Sequence, residues 1–133
     1  NTVQARLTAL EARGVLSAAS TRVRPAALGH TITAFVTMTI SQGDVEQITA
    51  DLAGVPEIIE LYATTGDGDL LAKVVARDPA DLHRITRRML QAGAVVRTST
   101  AMAVLELIAP RMAALLREVA GAGPSATARD PRP

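Results

Sequence analysis

The sequence predicts an α+β fold in which an antiparallel four-stranded sheet carries two helices on one face, in the order strand, helix, strand, strand, helix, strand. Three observations carry this. Thr31 to Ile40, Glu57 to Thr64, Leu70 to Ala76 and the stretch from Val95 are apolar and β-branched, the composition of strands in a half-buried sheet. Two intervening segments instead place apolar residues at helical spacing. Between the middle strands stands Gly66-Asp67-Gly68-Asp69, which offers the positive φ values that a tight hairpin needs.

The elements follow in order. In Thr2 to Arg13, Val3, Leu7 and Leu10 recur at helical spacing, Gln4, Arg6, Thr8, Glu11 and Arg13 fall elsewhere, and Gly14 is placed to end the helix. Val15 to Arg24 then reads as a short wing and linker, because the residue before Pro25 is pushed to extended geometry. Thr31 to Ile40 alternates and forms a strand with one buried face. The next helix runs about Gly43 to Ala53, with Ser41 as its cap, Asp44 near its positive end, Val45, Ile48 and Leu52 on one side and Gly54 as its stop. After the hairpin, Asp78 caps a second helix with Pro79 in its first turn. The apolar stripe of that helix is Leu82, Ile85, Met89 and Leu90, and Gly93 closes it. Val95 to Leu107 is the last strand, with Val96, Thr98, Thr100, Met102 and Val104 on one face. Two βαβ halves around a hairpin make the ferredoxin-like split βαβ motif. Its second sheet face holds too many apolar side chains to stay in water, so a second copy packed face to face is expected.

Beyond the sheet, Met112, Leu115, Leu116 and Val119 at helical spacing predict a terminal helix, and residues 121–133 read as a disordered tail. The resulting division is 1–24 for the N-terminal helix, wing and linker, 25–109 for the ferredoxin-like domain, 110–120 for the C-terminal helix and 121–133 for the tail.

Composition sets the outer limits. The 133 residues are 48% hydrophobic and 20% charged with no cysteine, which describes a globular chain and excludes disulfides and cysteine metal sites. No apolar run reaches the roughly twenty residues that a membrane helix requires, and the first residues lack the pattern of a secretion signal. The cytoplasm is the expected compartment. Because the chain starts mid-element at Asn1, it reads as part of a longer protein. Its net charge of +1 conceals an uneven distribution: Asn1 to Arg24 has four Arg against one Glu, while Thr31 to Ala109 has six basic residues against ten acidic ones. A basic start on an acidic body suits a protein of which one part meets phosphate. His30 and His83 stand in no motif with nucleophile or metal-ligand spacing, so no catalytic residue, metal or cofactor is expected.

The series Val3 to Leu16, Pro25-Ala-Ala-Leu-Gly, Ala34-Phe-Val, Val55-Pro-Glu-Ile, Thr65-Gly-Asp-Gly-Asp-Leu-Leu and Val96-Arg-Thr-Ser-Thr resembles, in order and spacing over nearly all of Thr2 to Glu106, the feast/famine regulators of the Lrp/AsnC family. The resemblance implies a non-enzymatic transcriptional regulator with an N-terminal winged helix-turn-helix that reads double-stranded DNA. It also implies a ferredoxin-like half, the RAM domain, that senses amino acids and assembles dimers into octamers. Thr2 to Arg13 then resembles the recognition helix, with the two helices before it absent, so that Asn1, Thr2, Gln4 and Arg6 would meet base edges or phosphates.

For the effector, an ammonium asks for an acceptor and a carboxylate for N–H or hydroxyl donors. Asp67 or Asp69 would serve the first, and backbone at Gly66 and Gly68 with the hydroxyls of Thr98 and Thr100 the second, in a pocket that the family places between dimers. This chain departs from the family pattern at Gly68, where an aromatic is frequent, at Leu70, at Ala18-Ala19 and at Ala94. Siroheme decarboxylases share the same architecture and provide an alternative function, and an oligomerisation module without ligand provides another.

Overall fold

The structure, a computed structural model, describes residues 5, 6, 9 and 23–122. Ala5, Arg6 and Ala9 are helical. The remainder of the helix expected over Thr2 to Arg13, the expected wing and the expected tail from residue 123 lie outside the described residues. A single 3-10 turn, Pro25–Leu28, leads into the sheet and is closed by Gly29, whose φ of 80° suits glycine and whose N–H donates to the Ala26 carbonyl at 3.1 Å.

Then come β1 (Ile32–Ile40), α1 (Val45–Ala53), β2 (Ile58–Ala63), β3 (Leu70–Ala76), α2 (Pro79–Leu90), β4 (Val95–Met102) and α3 (Ala113–Ala122). The strands lie in the order β2-β3-β1-β4, each neighbour antiparallel, which is the ferredoxin-like arrangement. The chain divides into two compact units, Asn1–Ala103 and Val104–Pro133.

The core of the first unit lies between one sheet face and the two helices. Ala34, Val36 and Met38 of β1 and Ala72 and Val74 of β3 meet Ile48 and Leu52 of α1 and Leu82, Ile85 and Met89 of α2 in one buried cluster. Local chemistry starts both helices. Asp44 accepts from the Glu46 N–H at 2.9 Å, and Asp78 accepts from the Asp81 N–H at 2.7 Å, each side chain satisfying an otherwise unpaired amide.

Four expectations need correction. The cap of α1 is Asp44, not Ser41. Ser41 turns instead to the start of β4, donating through its N–H and Oγ to the Ala94 carbonyl at 2.8 and 3.4 Å. Leu90 is 42% exposed, because α2 ends there and the stripe below it is completed by Met89. β4 stops at Met102, opposite Ala34, because β1 has almost run out: the Ala103 N–H donates to Thr33 at 2.8 Å, and no further rung follows. Val96 leaves the row of Thr98, Thr100 and Met102 because a register shift at Thr39/Ile40 makes it the extra residue of a bulge, with Val95 turned into the core.

The face turned away from the helices is mixed. Register puts Phe35 between Lys73 and Ala101, and Thr37 between Leu71 and Ser99. Phe35 and Tyr62 remain exposed, whereas Glu60 pairs with Lys73 at 3.6 Å and accepts from the Tyr62 hydroxyl at 3.0 Å. That hydrogen bond raises the Tyr62 pKa.

Candidate functional site

Glycine and aspartate build the connection between β2 and β3, but not as a tight hairpin. Six residues, 64–69, form it. Its ends are tied by the Thr64 N–H donating to the Asp69 carbonyl at 3.0 Å, and its interior by Thr64 Oγ1 donating to the Gly68 carbonyl at 3.1 Å. Gly66 alone of the two glycines has positive φ, at 109°. Gly68 is glycine for a different reason: a Cβ there would run into Cγ2 of Thr37 on β1.

The turn is thereby pressed onto the central strand and fastened there twice. The Asp69 N–H donates to the Met38 carbonyl, and Asp69 Oδ2 accepts from the Ile40 N–H, both at 2.9 Å. One Asp69 oxygen is thus engaged in holding the sheet together. Asp67, exposed at the tip, has its carboxylate in solvent.

Thr98 and Thr100 approach from the other flank of β1. Thr98 lies opposite Met38, and Thr100 opposite Val36, on the helix-covered side of the sheet. Leu70, Met38 and Thr98 form one row across three strands, so the turn and Thr98 are roughly 10 Å apart, two strand spacings. Half-buried Thr98 lies at the turn's end of the sheet, exposed Thr100 lies two residues further along β4 opposite the middle of β1, and neither closes a pocket around the turn. What the geometry offers is two separate polar sets: a turn with a free carboxylate and two glycines, packed against Thr37 of the open face, and two hydroxyls of β4 on the helix-covered side. A carboxylate is an acceptor for an ammonium, and hydroxyl or N–H groups are donors for a carboxylate, but neither set encloses a ligand by itself. Of the residues assigned to DNA, Arg6 is helical and exposed, while Asn1, Thr2 and Gln4 lie outside the described residues.

Two shallow concavities lie elsewhere, along α2. One, of about 320 Å³, is lined by Asp51, Leu52, Val55, Arg88, Gln91 and Ala92; the other, of about 390 Å³, by Ala80, His83, Arg84, Arg87, Arg88 and Gln91. Sequence reasoning missed this basic row, although Arg84, Arg87 and Arg88 at i, i+3 and i+4 share a helix side.

Beside it lies an ion network. Arg84 Nη2 donates to Glu57 Oε1 at 2.7 Å, and Arg84 Nε to Asp81 Oδ1 at 3.0 Å. The N–H and side chain of Arg77 donate to the same Asp81 at 3.0 and 3.3 Å. Hydrogen bonds from the Arg77 side chain and backbone, joined by Arg84, hold the Asp81 carboxyl well below the usual carboxylate range. Burial pushes Glu57 the other way, but its bond to Arg84 and its own backbone N–H outweigh this and leave it lowered. The network joins the residue before β2, the residue after β3 and α2, and Arg88 Nη2 adds a bond to the Gly54 carbonyl at 2.8 Å. Apart from Glu57 Oε2, which is buried without a hydrogen-bond partner, its groups satisfy one another, so it reads as a structural clamp.

The profile of the Lrp/AsnC ligand binding domain matches residues 33–113, a span that holds both the turn and Thr98. The HTH-type transcriptional regulator FL11 of Pyrococcus horikoshii is 31% identical over 83 residues, which cover 62% of this chain and 55% of that protein. The HTH-type transcriptional regulator LrpA of Mycobacterium tuberculosis is 30% identical over 88 residues, 65% of this chain and 59% of that protein. The chain thus spans little more than half the length of such relatives. Among solved structures, a feast or famine regulatory protein from M. tuberculosis complexed with L-methionine superposes with a TM-score of 0.69 at 27% identity, covering 83% of this chain and 75% of that one. AsnC of E. coli matches with the same TM-score at 23% identity, a likeness of fold.

Proposed function

We propose, from the premise that this chain belongs to the Lrp/AsnC family, that it works in a transcriptional regulator that binds an amino acid or a related small metabolite at a site formed by residues 64–69 of one subunit and Thr98 and Thr100 of a facing one. Asp67 receives the ammonium. The carboxylate is received by the N–H groups around Gly66 and Gly68 of one subunit together with the hydroxyls of Thr98 and Thr100 of a facing subunit. A second dimer closes the pocket, so ligand binding is coupled to assembly, and assembly to the spacing of units on double-stranded DNA. Dimers form through the open sheet face around Phe35, and dimers combine into octamers.

The observation that carries this reading is the division of labour between the two aspartates. Asp69 is committed to β1, and Asp67 stands free on a turn held rigid by it. The L-methionine complex of the M. tuberculosis relative supports the ligand class. The reading is non-enzymatic: His30 bonds the Leu28 carbonyl through Nδ1 at 3.1 Å, and His83 is exposed on α2. It places the protein in the cytoplasm, and none of the described helices is long and apolar enough to cross a membrane.

A thermal-shift screen against the common amino acids tests it. A ligand that binds only the folded state at a hundred times its dissociation constant adds about 2.7 kcal/mol. One amino acid is expected to raise Tm selectively, and Asp67→Ala to abolish that shift. No shift from any amino acid, with the protein assembled, would sink the reading.

A further inference from the structure

The second unit carries an apolar surface that the proposed sensing role does not use. Val104 and Leu107 are 98% and 84% exposed, and Met112, Leu115, Leu116 and Val119 are each more than half exposed. α3 has ten residues, none of them buried. A helix of that length is marginal by itself, since isolated helices below roughly 12–15 residues scarcely form in water. Exposed apolar side chains recurring along one side of a helix that needs support mark a docking surface.

We propose that this segment is a self-association element, and that its occupant is the same segment of a second copy, paired antiparallel about a two-fold axis. Two features identify that occupant. Residues 112, 115, 116 and 119 form a narrow seam, the i, i+3, i+4, i+7 pattern by which helices pair. An axis between Leu115 and Leu116 sets Leu115 of one copy on Leu116 of the other and Met112 on Val119, so the seam complements itself. The flanking charges balance as well: Arg111 and Arg117 stand against Glu106 and Glu118. The same axis brings Glu118 of one copy near Arg111 of the other, twice. A lipid surface would call for a polar face rich in Lys and Arg, not one of zero net charge.

The residues of this contact are not those of the sheet face, so the chain presents two distinct sets of residues for self-association. The test uses the full chain, which has no native cysteine. Met112→Cys chains mixed with Val119→Cys chains under mild oxidation are expected to form a mixed covalent dimer in excess of either homodimer. Leu116→Asp is expected to halve the assembly mass in light scattering or to raise the dissociation constant of that step at least tenfold, with the circular dichroism of the sheet unit retained. An unchanged mass for Leu116→Asp would overturn the proposal. So would the absence of the mixed disulfide, or Val119→Cys crosslinking instead to Phe35→Cys on the sheet face. If Leu116→Asp does not fold, the cysteine pair decides alone.

Discussion

Asp69 Oδ2 accepts a hydrogen bond from the backbone N–H of Ile40 at 2.9 Å, although 29 residues separate them. This bond fastens the acidic turn to the end of the central strand, and the Asp69 N–H on the Met38 carbonyl doubles it. The two carboxylates of the turn should therefore respond differently to removal. Asp69→Ala is expected to cost about 1.5–3 kcal/mol, the range for a hydrogen bond to a charged group, and to weaken ligand response only through lost order. Asp67→Ala should leave stability within about 0.5 kcal/mol and remove the response. Urea denaturation of both variants, with and without ligand, separates the two roles; equal stability losses would refute the division.

The two glycines of the turn should also differ. Gly68→Ala drives a methyl into Thr37 and is expected to cost about 1–3 kcal/mol, as overpacking does. Thr37→Ala should recover most of that loss, in a double-mutant cycle with clear coupling. Gly66→Ala meets open space, so its cost, about 1 kcal/mol or more from positive φ, should be indifferent to residue 37. Coupling at both glycines, or at neither, would contradict this account.

The ion network predicts the acid response. In the unfolded chain the Asp81 carboxyl titrates near about 4, and in the folded chain Arg77 and Arg84 keep it lower. Folding thus gains stability that is fully present above the unfolded value and is lost as pH falls toward the folded one. Glu57, lowered in the same sense, adds to it. The denaturant midpoint should hold from pH 7 to about 5 and then decline. Asp81→Asn should lower the midpoint at pH 7 and flatten the decline. A decline parallel to that of the unaltered protein would assign acid sensitivity to other groups.

Neighbours at the end of α2 should behave oppositely. Met89 is fully buried, and Met89→Ala should cost about 2–5 kcal/mol. Leu90 faces outward, and Leu90→Ala should cost less than about 1 kcal/mol in the unassembled protein. A large loss at Leu90 in the unassembled protein would contradict its outward placement.

Much of the fold was legible because its signals are local. The alternation of Ile32 to Ile40, the Asp78-Pro79 helix start and the stripe of Leu82, Ile85 and Met89 each depend on residues a few positions apart. The bulges at Thr39/Ile40 and Ile58/Glu60 were not legible, because a register shift depends on what two distant strands do together. Nor was the end of β4 at Met102, which is set by where β1 begins to run out.

The site divides in the same way. The sequence alone determined that glycines and aspartates would join β2 to β3 and that threonines would stand on β4, because turn chemistry and strand propensity are written in short segments. Tertiary structure alone decided that Gly68 yields to Thr37, that Asp69 belongs to Ile40, that Asp67 remains free and that Arg84 unites Glu57 with Asp81. These pairings arise when strands in the order β2-β3-β1-β4 bring remote residues within hydrogen-bonding distance, and no local pattern encodes which remote neighbour a side chain will meet.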